Sequence, residues 1–278
     1  MVSIRVEQNA MSRSALRFGE ARRLPGTPAV ERALFGAIGI ADPAHWLHFK
    51  YLENCLDLWT DFTPRRILDA GCGRGDYSFY LARRWPNADV LGIDIDLARI
   101  ERCRRLGREL GLTNLRFDVS DLAVSRLGDA FDLVVSIDVL EHIVTQREAI
   151  ENLGVHLAPG GRFFFHIPTV RETPVIFSDA LHSFSAWAEH EHVAQDRTAA
   201  EFVELVEACG LRVEACQRTF GRYTGELAVS LFTLPHRNTL ANKALQALLA
   251  LPCRAAAWAD MLSLDRTRYA VALRGRKR

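Results

Sequence analysis

The sequence lacks the patterns that anchor, export or cross-link a chain. None of its 278 residues belongs to an uninterrupted apolar run of about 18, so we expect no membrane-spanning helix. No apolar run follows the basic residues near the start, so we expect no signal peptide. The six cysteines form no C-x-x-C pair, and their irregular spacing in a large chain is typical of free thiols. These absences predict a cytoplasmic protein.

A strong net charge is also absent. The chain has 35 Lys and Arg against 34 Asp and Glu, a formal net charge of +1. No overall field therefore favours nucleic acid. The basic tail Arg274–Arg278 has no aromatic residues interleaved with its charges, so we expect no nucleic-acid partner.

The middle of the sequence alternates between strand and helix patterns. Strands are predicted at Arg66–Ala70, Val90–Ile93, Leu115–Asp118, Phe131–Ser136, Arg162–Ile167, Leu211–Phe220 and Arg268–Arg274. Helices are predicted at 29–40, 43–61, Tyr77–Arg84, Leu97–Leu110, Gln146–Leu157, Thr198–Cys209 and, as one or two helices, 236–262. A turn is expected at Pro159–Gly161. This alternation predicts an α/β fold with a mainly parallel sheet, in which the last two strands are antiparallel neighbours.

The most informative motif follows the first predicted strand and reads I-L-D-A-G-C-G-R-G-D over residues 67–76. Three glycines at alternate positions, Gly71, Gly73 and Gly75, predict a sharp turn with bare backbone between a buried strand and a helix. Such a turn lets a ligand approach closely and aims the first free N–H groups of the helix at it. The motif therefore indicates a nucleotide-like cofactor.

Acidic residues at the strand ends narrow the choice of cofactor. Asp94 ends the second strand, where a carboxylate can accept hydrogen bonds from a ribose diol. Asp118 ends the third strand, with Asp121 close behind. Dinucleotide-binding folds carry G-x-G-x-x-G, whereas this chain has G-x-G-x-G preceded by Asp69, which would repel a pyrophosphate. The set suits a cofactor with an adenosine and a cationic amino-acid tail.

Residues 66–168 resemble a class I S-adenosylmethionine-dependent methyltransferase. The resemblance is carried by I-L-D-A-G-C-G-R-G, L-G-I-D-I-D, F-D-V-S-D-L, F-D-L-V-V-S-I-D-V-L-E-H and A-P-G-G-R-F-F-F, in family order. It implies a Rossmann-like, doubly wound, seven-stranded sheet with an antiparallel last strand, plus helical cap elements. We expect an N-terminal arm and cap over residues 1–62. The methyltransferase domain would cover 63–278, with a substrate lid at 169–197 and a helical insertion at 226–265.

The resemblance also assigns cofactor contacts. It implies that Asp69 and the glycines at 71, 73 and 75 hold the amino-acid part of S-adenosylmethionine. Asp94 would bind the ribose hydroxyls, and Ile95 would flank the adenine. Asp118 would meet the adenine amine, with Val119 beside the ring. Asp138 and its neighbour Ile137 would face the methionine portion and the transferring methyl group.

Histidines are the candidate bases. The candidate catalytic residues are His142, His192 and Asp138, and the candidate substrate contacts are Trp187 and His190. His166, near the end of the fifth strand, either points into the site or has a hydrogen-bonded structural role.

One stretch also bears on metal binding. Asp138-x-x-Glu141-His142 resembles the acidic-x-x-Glu-His set of ubiquinone-biosynthesis O-methyltransferases, which implies a divalent cation. The first position here is the shorter Asp, however. The H-x-H pair at His190 and His192 lacks a third zinc ligand at suitable spacing, so we assign no metal.

The sequence thus predicts transfer of a methyl group to a small, partly apolar acceptor, at oxygen, with S-adenosylhomocysteine as the product. Three alternatives remain open: a small-molecule N-methyltransferase, a non-catalytic cofactor-binding partner subunit, and a nicotinamide oxidoreductase. Peripheral membrane contact through the helical insertion and a homodimer are also left open.

Overall fold

A computed structural model of the chain describes residues 18–40, 43–128, 130–169, 197–221, 224, 240–262 and 270–278, with only the backbone of 43, 240–247, 261 and 262. The helices are α1 (Ala29–Ile38), α2 (Pro43–Leu58), α3 (Asp76–Arg84), α4 (Leu97–Glu109), α5 (Gln146–His156), α6 (Ala199–Ala208) and α7 (Leu240–Leu262). The strands are β1 (Arg66–Ala70), β2 (Asp89–Asp94), β3 (Leu115–Val119), β4 (Phe131–Ile137), β5 (Leu157–Pro168), β6 (Leu211–Thr219) and β7 (Ala270–Lys277). Short 3-10 turns lie at Glu20–Arg23 and Leu140–His142.

The seven strands form one sheet in the order β3-β2-β1-β4-β5-β7-β6. Strands β1 to β5 pair in parallel, and β7 inserts antiparallel between β5 and β6. The predicted fold class is confirmed, including the antiparallel last strand.

Helices cover both faces of the sheet, which is why the central strands are apolar without strict alternation. On one face, Trp46 and Phe49 of α2 pack with Ile67 of β1. On the other face, Ile150 of α5 and Phe202 of α6 pack in the second core cluster. Full burial of such a side chain contributes about 1.5–3 kcal/mol. The amphipathic helix predicted for residues 43–61 is therefore confirmed, ending at Leu58.

Local signals set where the helices begin. The Asp96 carboxylate accepts hydrogen bonds from the N–H groups of Ala98 (2.8 Å) and Arg99 (3.1 Å) and so caps α4. Thr198 and Glu201 form a reciprocal capping box at the start of α6. Capping residues thus fix helix starts that hydrophobic periodicity alone leaves open by a residue or two.

One predicted turn is corrected, and one open alternative, between one and two helices, is decided. The turn expected at Pro159–Gly161 lies inside β5, which begins at Leu157. Between the pairs Phe131–Leu157 and Leu133–Arg162, β5 advances five residues while β4 advances two, so these residues bulge from a strand that continues. Toward the C-terminus, α7 is a single helix despite Pro252 within it.

Other predictions concern targeting, cysteines and the inserts. No helix in the described ranges is long and apolar enough to cross a membrane. All six cysteines are free thiols, as predicted. Most of the lid predicted at 169–197, and residues 226–239 and 263–265 of the helical insertion, lie outside the described residues.

Candidate functional site

The glycine turn after β1 adopts the backbone that only glycine accepts readily. Gly71, Gly73 and Gly75 have φ of 81°, 53° and 79°. A Cβ on Gly71 would lie 2.3 Å from a methyl carbon of Val139, so the turn packs closely against the segment after β4. A Cβ on Gly73 would meet nothing within 4 Å, so this glycine faces open space.

That open space is a cavity of about 910 Å³ at the carboxyl ends of the parallel strands, where open α/β sheets bind ligands. It is lined by the glycine turn, by residues that follow β2, β3 and β4, and by two histidines of α2. Its main lining residues are His45, His48, Gly71, Gly73, Arg74, Asp94, Ile95, Ser120, Asp121, Leu122, Ile137, Asp138, Val139, His142 and Ile143.

Asp94, the predicted ribose contact, lines the cavity. One carboxylate oxygen accepts the N–H of Gly73 (2.8 Å) and the other accepts the N–H of Asp96 (2.9 Å). A carboxylate has about four lone-pair positions, so both oxygens can accept further hydrogen bonds from a ligand. Beside it, Ile95 is 70% exposed and lines the same cavity.

The end of β3 requires a correction. Asp118 is exposed and its carboxylate accepts a hydrogen bond from Arg104 at 2.8 Å, and neither it nor Val119 lines the cavity. Ser120 and Asp121 line the cavity instead. The strand runs one residue further than predicted, to Val119, so the cavity edge begins later in the sequence. Asp121 follows in the same D-V-S-D stretch, which was the available signal.

Asp69 lies beneath the turn, fully buried. Its carboxylate accepts a hydrogen bond from the Ser78 hydroxyl at 2.5 Å, which ties β1 to α3. Burial raises the pKa of Asp69 from 3.8 to about 7, although the bond from Ser78 opposes that shift. Asp69 is not among the cavity-lining residues, so its observed contacts support the turn from behind.

A second acidic residue, Asp76, sits at the first turn of α3. Arg22 donates to both of its carboxylate oxygens (2.9 and 3.1 Å), and His45 Nε2 lies 3.2 Å from one of them. Burial alone would raise the pKa of Asp76, but the Arg22 guanidinium and His45 hold it below the ordinary value. This ion pair joins the N-terminal segment to the rim of the cavity.

The segment after β4 places Asp138 between two histidines. Asp138 Oδ1 lies 2.6 Å from His166 Nδ1, and Asp138 Oδ2 lies 3.0 Å from His48 Nε2. Asp138 has a φ of 52°, a strained value for a residue with a side chain. His48 and Asp138 line the cavity, whereas His166 is buried beside them. We call these three residues the His48–Asp138–His166 cluster.

The fold holds the buried histidine of this cluster from the other side as well. His166 Nε2 lies 2.8 Å from the Thr219 hydroxyl on β6, and the N–H of Asp138 donates to the carbonyl of His166 at 3.0 Å. His48 was not predicted as a site residue. It is a polar residue in the buried stripe of α2, between Trp46 and Phe49, and that position was the signal in the sequence.

Asp138, Glu141 and His142, which the resemblance to ubiquinone-biosynthesis O-methyltransferases groups together, are not assembled as one ligand group. Burial first, and then the Asp138 carboxylate, raise the pKa of Glu141 well above its ordinary value. His142 is exposed on the cavity wall, with Nε2 3.8 Å from Glu141. Among the described residues, the one group of three His, Cys, Asp or Glu with ligand atoms all within 4.8 Å of one another is the His48–Asp138–His166 cluster. Trp187, His190 and His192 lie outside the described residues.

The cavity residues fit the predicted cofactor. The open face of Gly73 leaves room for a close approach to backbone, Asp94 offers carboxylate oxygens to a ribose diol, and Ile95 offers an exposed apolar surface to a ring. Asp121 adds an acceptor at the cavity edge. A sheet with a glycine turn and acidic residues at this edge defines a nucleoside-cofactor-binding α/β protein.

Comparison with known proteins gives the family. A sequence model described as "Methyltransferase domain" matches residues 64–210, more than half of the chain. The chain therefore belongs to the class I S-adenosylmethionine-dependent methyltransferases.

Similar sequences are named as methyltransferases. Trans-aconitate 2-methyltransferase of Deinococcus radiodurans is 29% identical over 154 residues, covering 52% of this chain and 57% of the relative. Ubiquinone biosynthesis O-methyltransferase of Nitrosococcus oceani is 33% identical over 139 residues, covering 49% and 54%. The chain thus spans little more than half the length of these curated relatives.

A solved structure shows the same fold. Phosphoethanolamine N-methyltransferase 2 of Haemonchus contortus, in complex with phosphomonomethylethanolamine and S-adenosylhomocysteine, matches with a TM-score of 0.62 at 15% identity. The match covers 94% of this chain and 60% of the other. At that identity the likeness concerns the fold alone.

Proposed function

We propose that the chain transfers the methyl group of S-adenosylmethionine to an oxygen atom of a small, partly apolar acceptor. The observation that carries the proposal is the His48–Asp138–His166 cluster on the wall of the cofactor cavity. The names of similar proteins do not decide the acceptor atom, because they include both O- and N-methyltransferases.

The choice of oxygen follows from where the proton goes. A hydroxyl holds its proton at neutral pH, so its methylation needs a group that promotes the loss of that proton. An unprotonated amine needs no such help. The cluster supplies a carboxylate and imidazoles, with Asp138 oriented by a fixed partner on each side.

Positioning does the rest. When bound, S-adenosylmethionine supplies an electrophilic methyl group on a sulfonium sulfur, which leaves as the neutral thioether of S-adenosylhomocysteine. The acceptor hydroxyl would pass its proton to the cluster, of which Asp138 and His48 line the cavity, and the electron pair left on oxygen would form the bond to the methyl carbon as the carbon–sulfur bond breaks. Holding such partners in line contributes about 7–11 kcal/mol in favourable cases.

The cavity wall indicates the acceptor class. Near the cluster, Ile137, Val139 and Ile143 present apolar surface next to Asp138 and His142. Such a wall favours an acceptor with an apolar body and one oxygen at the reacting end. His142, His192, Trp187 and His190 remain predictions for further base and substrate contacts.

The test is methyl transfer from labelled S-adenosylmethionine to paired acceptors that differ only in carrying a hydroxyl or an amine. We expect transfer to the hydroxyl, and we expect Asp138→Asn to lower kcat by about 100-fold or more while cofactor affinity is kept. Asp118→Asn is the matched control, because Asp118 is an exposed acid that does not line the cavity. Transfer to the amine alone would contradict the proposal, as would an undiminished rate in Asp138→Asn.

A further inference from the structure

We propose that the His48–Asp138–His166 cluster binds a divalent transition-metal ion of the zinc or iron(II) class. The set differs from Asp138, Glu141 and His142, which the sequence pattern had indicated. It draws one ligand each from α2, from the segment after β4 and from β5, so no spacing in the sequence reveals it.

The ligand atoms already converge. They lie within 4.8 Å of one another, with 2.6 and 3.0 Å from the carboxylate oxygens to the two imidazole nitrogens. Zinc bonds to imidazole nitrogen and carboxylate oxygen are about 2.0–2.2 Å long, so the ligand atoms of a tetrahedral zinc ion lie about 3.4 Å from one another. To complete the site, the separations of 2.6 and 3.0 Å would widen by a few tenths of an ångström, and a separation as wide as 4.8 Å would close by about 1.4 Å.

The donor types select the ion. Two imidazoles and one carboxylate favour zinc, iron, cobalt or nickel, whereas magnesium and calcium prefer sites made of oxygen ligands. A site with three protein ligands, two of which line a cavity, also leaves a position open for a further ligand.

Surrounding contacts fit a metal site as well. Metal-binding histidines commonly donate their other ring N–H to an oxygen, and His166 has the Thr219 hydroxyl 2.8 Å from Nε2. Asp138 keeps a strained backbone, with φ of 52°, that brings its carboxylate to the two rings. These contacts hold the cluster before any ion binds.

The role of the ion in catalysis rests on the proposed function. A cation beside the acceptor oxygen lowers the pKa of a hydroxyl, so the O–H bond breaks more readily. Because a bound ion occupies the lone pairs of the cluster, the proton then passes to water instead, and the electron pair stays on oxygen to form the bond to the methyl carbon. The metal site itself does not depend on this role.

The test is direct binding to untagged, full-length protein that has been treated with chelator and desalted. Titration with Zn²⁺ should show one equivalent, and Co²⁺ should give a visible absorption band without thiolate charge transfer. His48→Gln should weaken Zn²⁺ binding by about 100-fold or more. Thr219→Val, which removes only the supporting hydroxyl, should weaken it by about 10–100-fold.

His142→Ala is the matched control, since it removes a cavity histidine outside the cluster and should leave Zn²⁺ affinity unchanged. Circular dichroism checks that each variant is folded. The inference is overturned if folded wild-type protein takes up no stoichiometric metal, if His142→Ala loses binding while His48→Gln keeps it, or if Co²⁺ shows thiolate bands.

Parallel assays separate this inference from the proposed function. If the protein binds metal but transfers no methyl group to oxygen, the metal site stands and the proposed function is wrong. If the protein takes up no metal and transfers the methyl group to oxygen at the full rate in chelator, the proposed function stands and the metal site is wrong.

Discussion

At the scale of single residues, two acids at neighbouring strand ends have different surroundings. Asp94 is buried, accepts hydrogen bonds from two backbone N–H groups and lines the cavity. Asp118 is exposed and pairs with Arg104 on the surface. Both look alike in the sequence, and their surroundings decide which one a ligand can reach.

The first prediction concerns cofactor affinity. Asp94→Asn should weaken S-adenosylmethionine binding by about 10–100-fold, because charge-assisted hydrogen bonds are worth about 1.5–3 kcal/mol. Asp118→Asn is the matched control and should leave affinity nearly unchanged. Calorimetric titration measures both. Equal losses in the two variants would show that β3 contributes its acid after all.

The second prediction concerns stability against pH. The pKa of Asp69 is about 7 in the folded chain and near 3.8 when unfolded, so the folded state binds more protons between these values. The free energy of unfolding should therefore fall as pH rises from 4 toward 8, by up to about 4 kcal/mol from this group. Asp69→Asn should remove that part of the slope. Urea unfolding at several pH values measures the free energy of unfolding of both proteins. The same pH dependence in Asp69→Asn as in the wild type would contradict the prediction.

At the scale of elements, the glycine turn has two sides with different constraints. Its Gly71 side packs against Val139, whereas its Gly73 side opens to the cavity. The turn therefore serves packing at one residue and ligand access two residues later.

The third prediction separates these two sides. Gly71→Ala should destabilise the protein, because its Cβ would clash with Val139, and Val139→Ala should restore part of the loss. Gly73→Ala should cost only about 1 kcal/mol of stability, from its positive φ, yet weaken cofactor binding strongly. Thermal unfolding and cofactor titration measure the two effects. Similar stability losses at both glycines would contradict this division.

At the scale of the whole molecule, the Arg22–Asp76 ion pair joins the N-terminal segment to α3, and α2 contributes His48 to the cavity. The segments before β1 are thus part of the site. The division into an N-terminal cap and a methyltransferase domain remains a prediction, but the site draws on both.

The fourth prediction follows from that connection. Arg22→Ala should lower the free energy of unfolding by about 3 kcal/mol, because it removes the guanidinium that pairs with both oxygens of the buried Asp76 carboxylate. Arg83→Ala is the control. It breaks the more exposed pair with Glu20 between the same two segments and should cost within about 1 kcal/mol. Equal losses in urea unfolding would mean that burial of the pair does not matter.

The same scale explains what the sequence could predict. Strands β1 to β5 were predictable because apolar runs between turn residues are local signals, and the acids at their ends follow from parallel pairing. The pairing of His48 with Asp138 was not predictable from the sequence. The two residues are 90 positions apart, and their contact depends on how α2 packs across the sheet. The sequence pattern favours Asp118 over Asp121 at the cavity because it predicts a β3 that ends one residue too early. The residues Pro159–Gly161 predict a turn, although they form a bulge, because the same residue types occur in turns and in bulges.

The position of β7 sets an order of events during synthesis. Among the described strands, β6 pairs only with β7, which follows it in sequence after α7. While a ribosome is still making α7, β7 does not yet exist, so β5 lacks its antiparallel neighbour and β6 cannot pair with the sheet. Thr219 stands opposite Ala270, and His166 stands opposite Ala272. The nascent chain can therefore form its glycine turn early, but the hydroxyl that holds His166 arrives only after β7 has emerged.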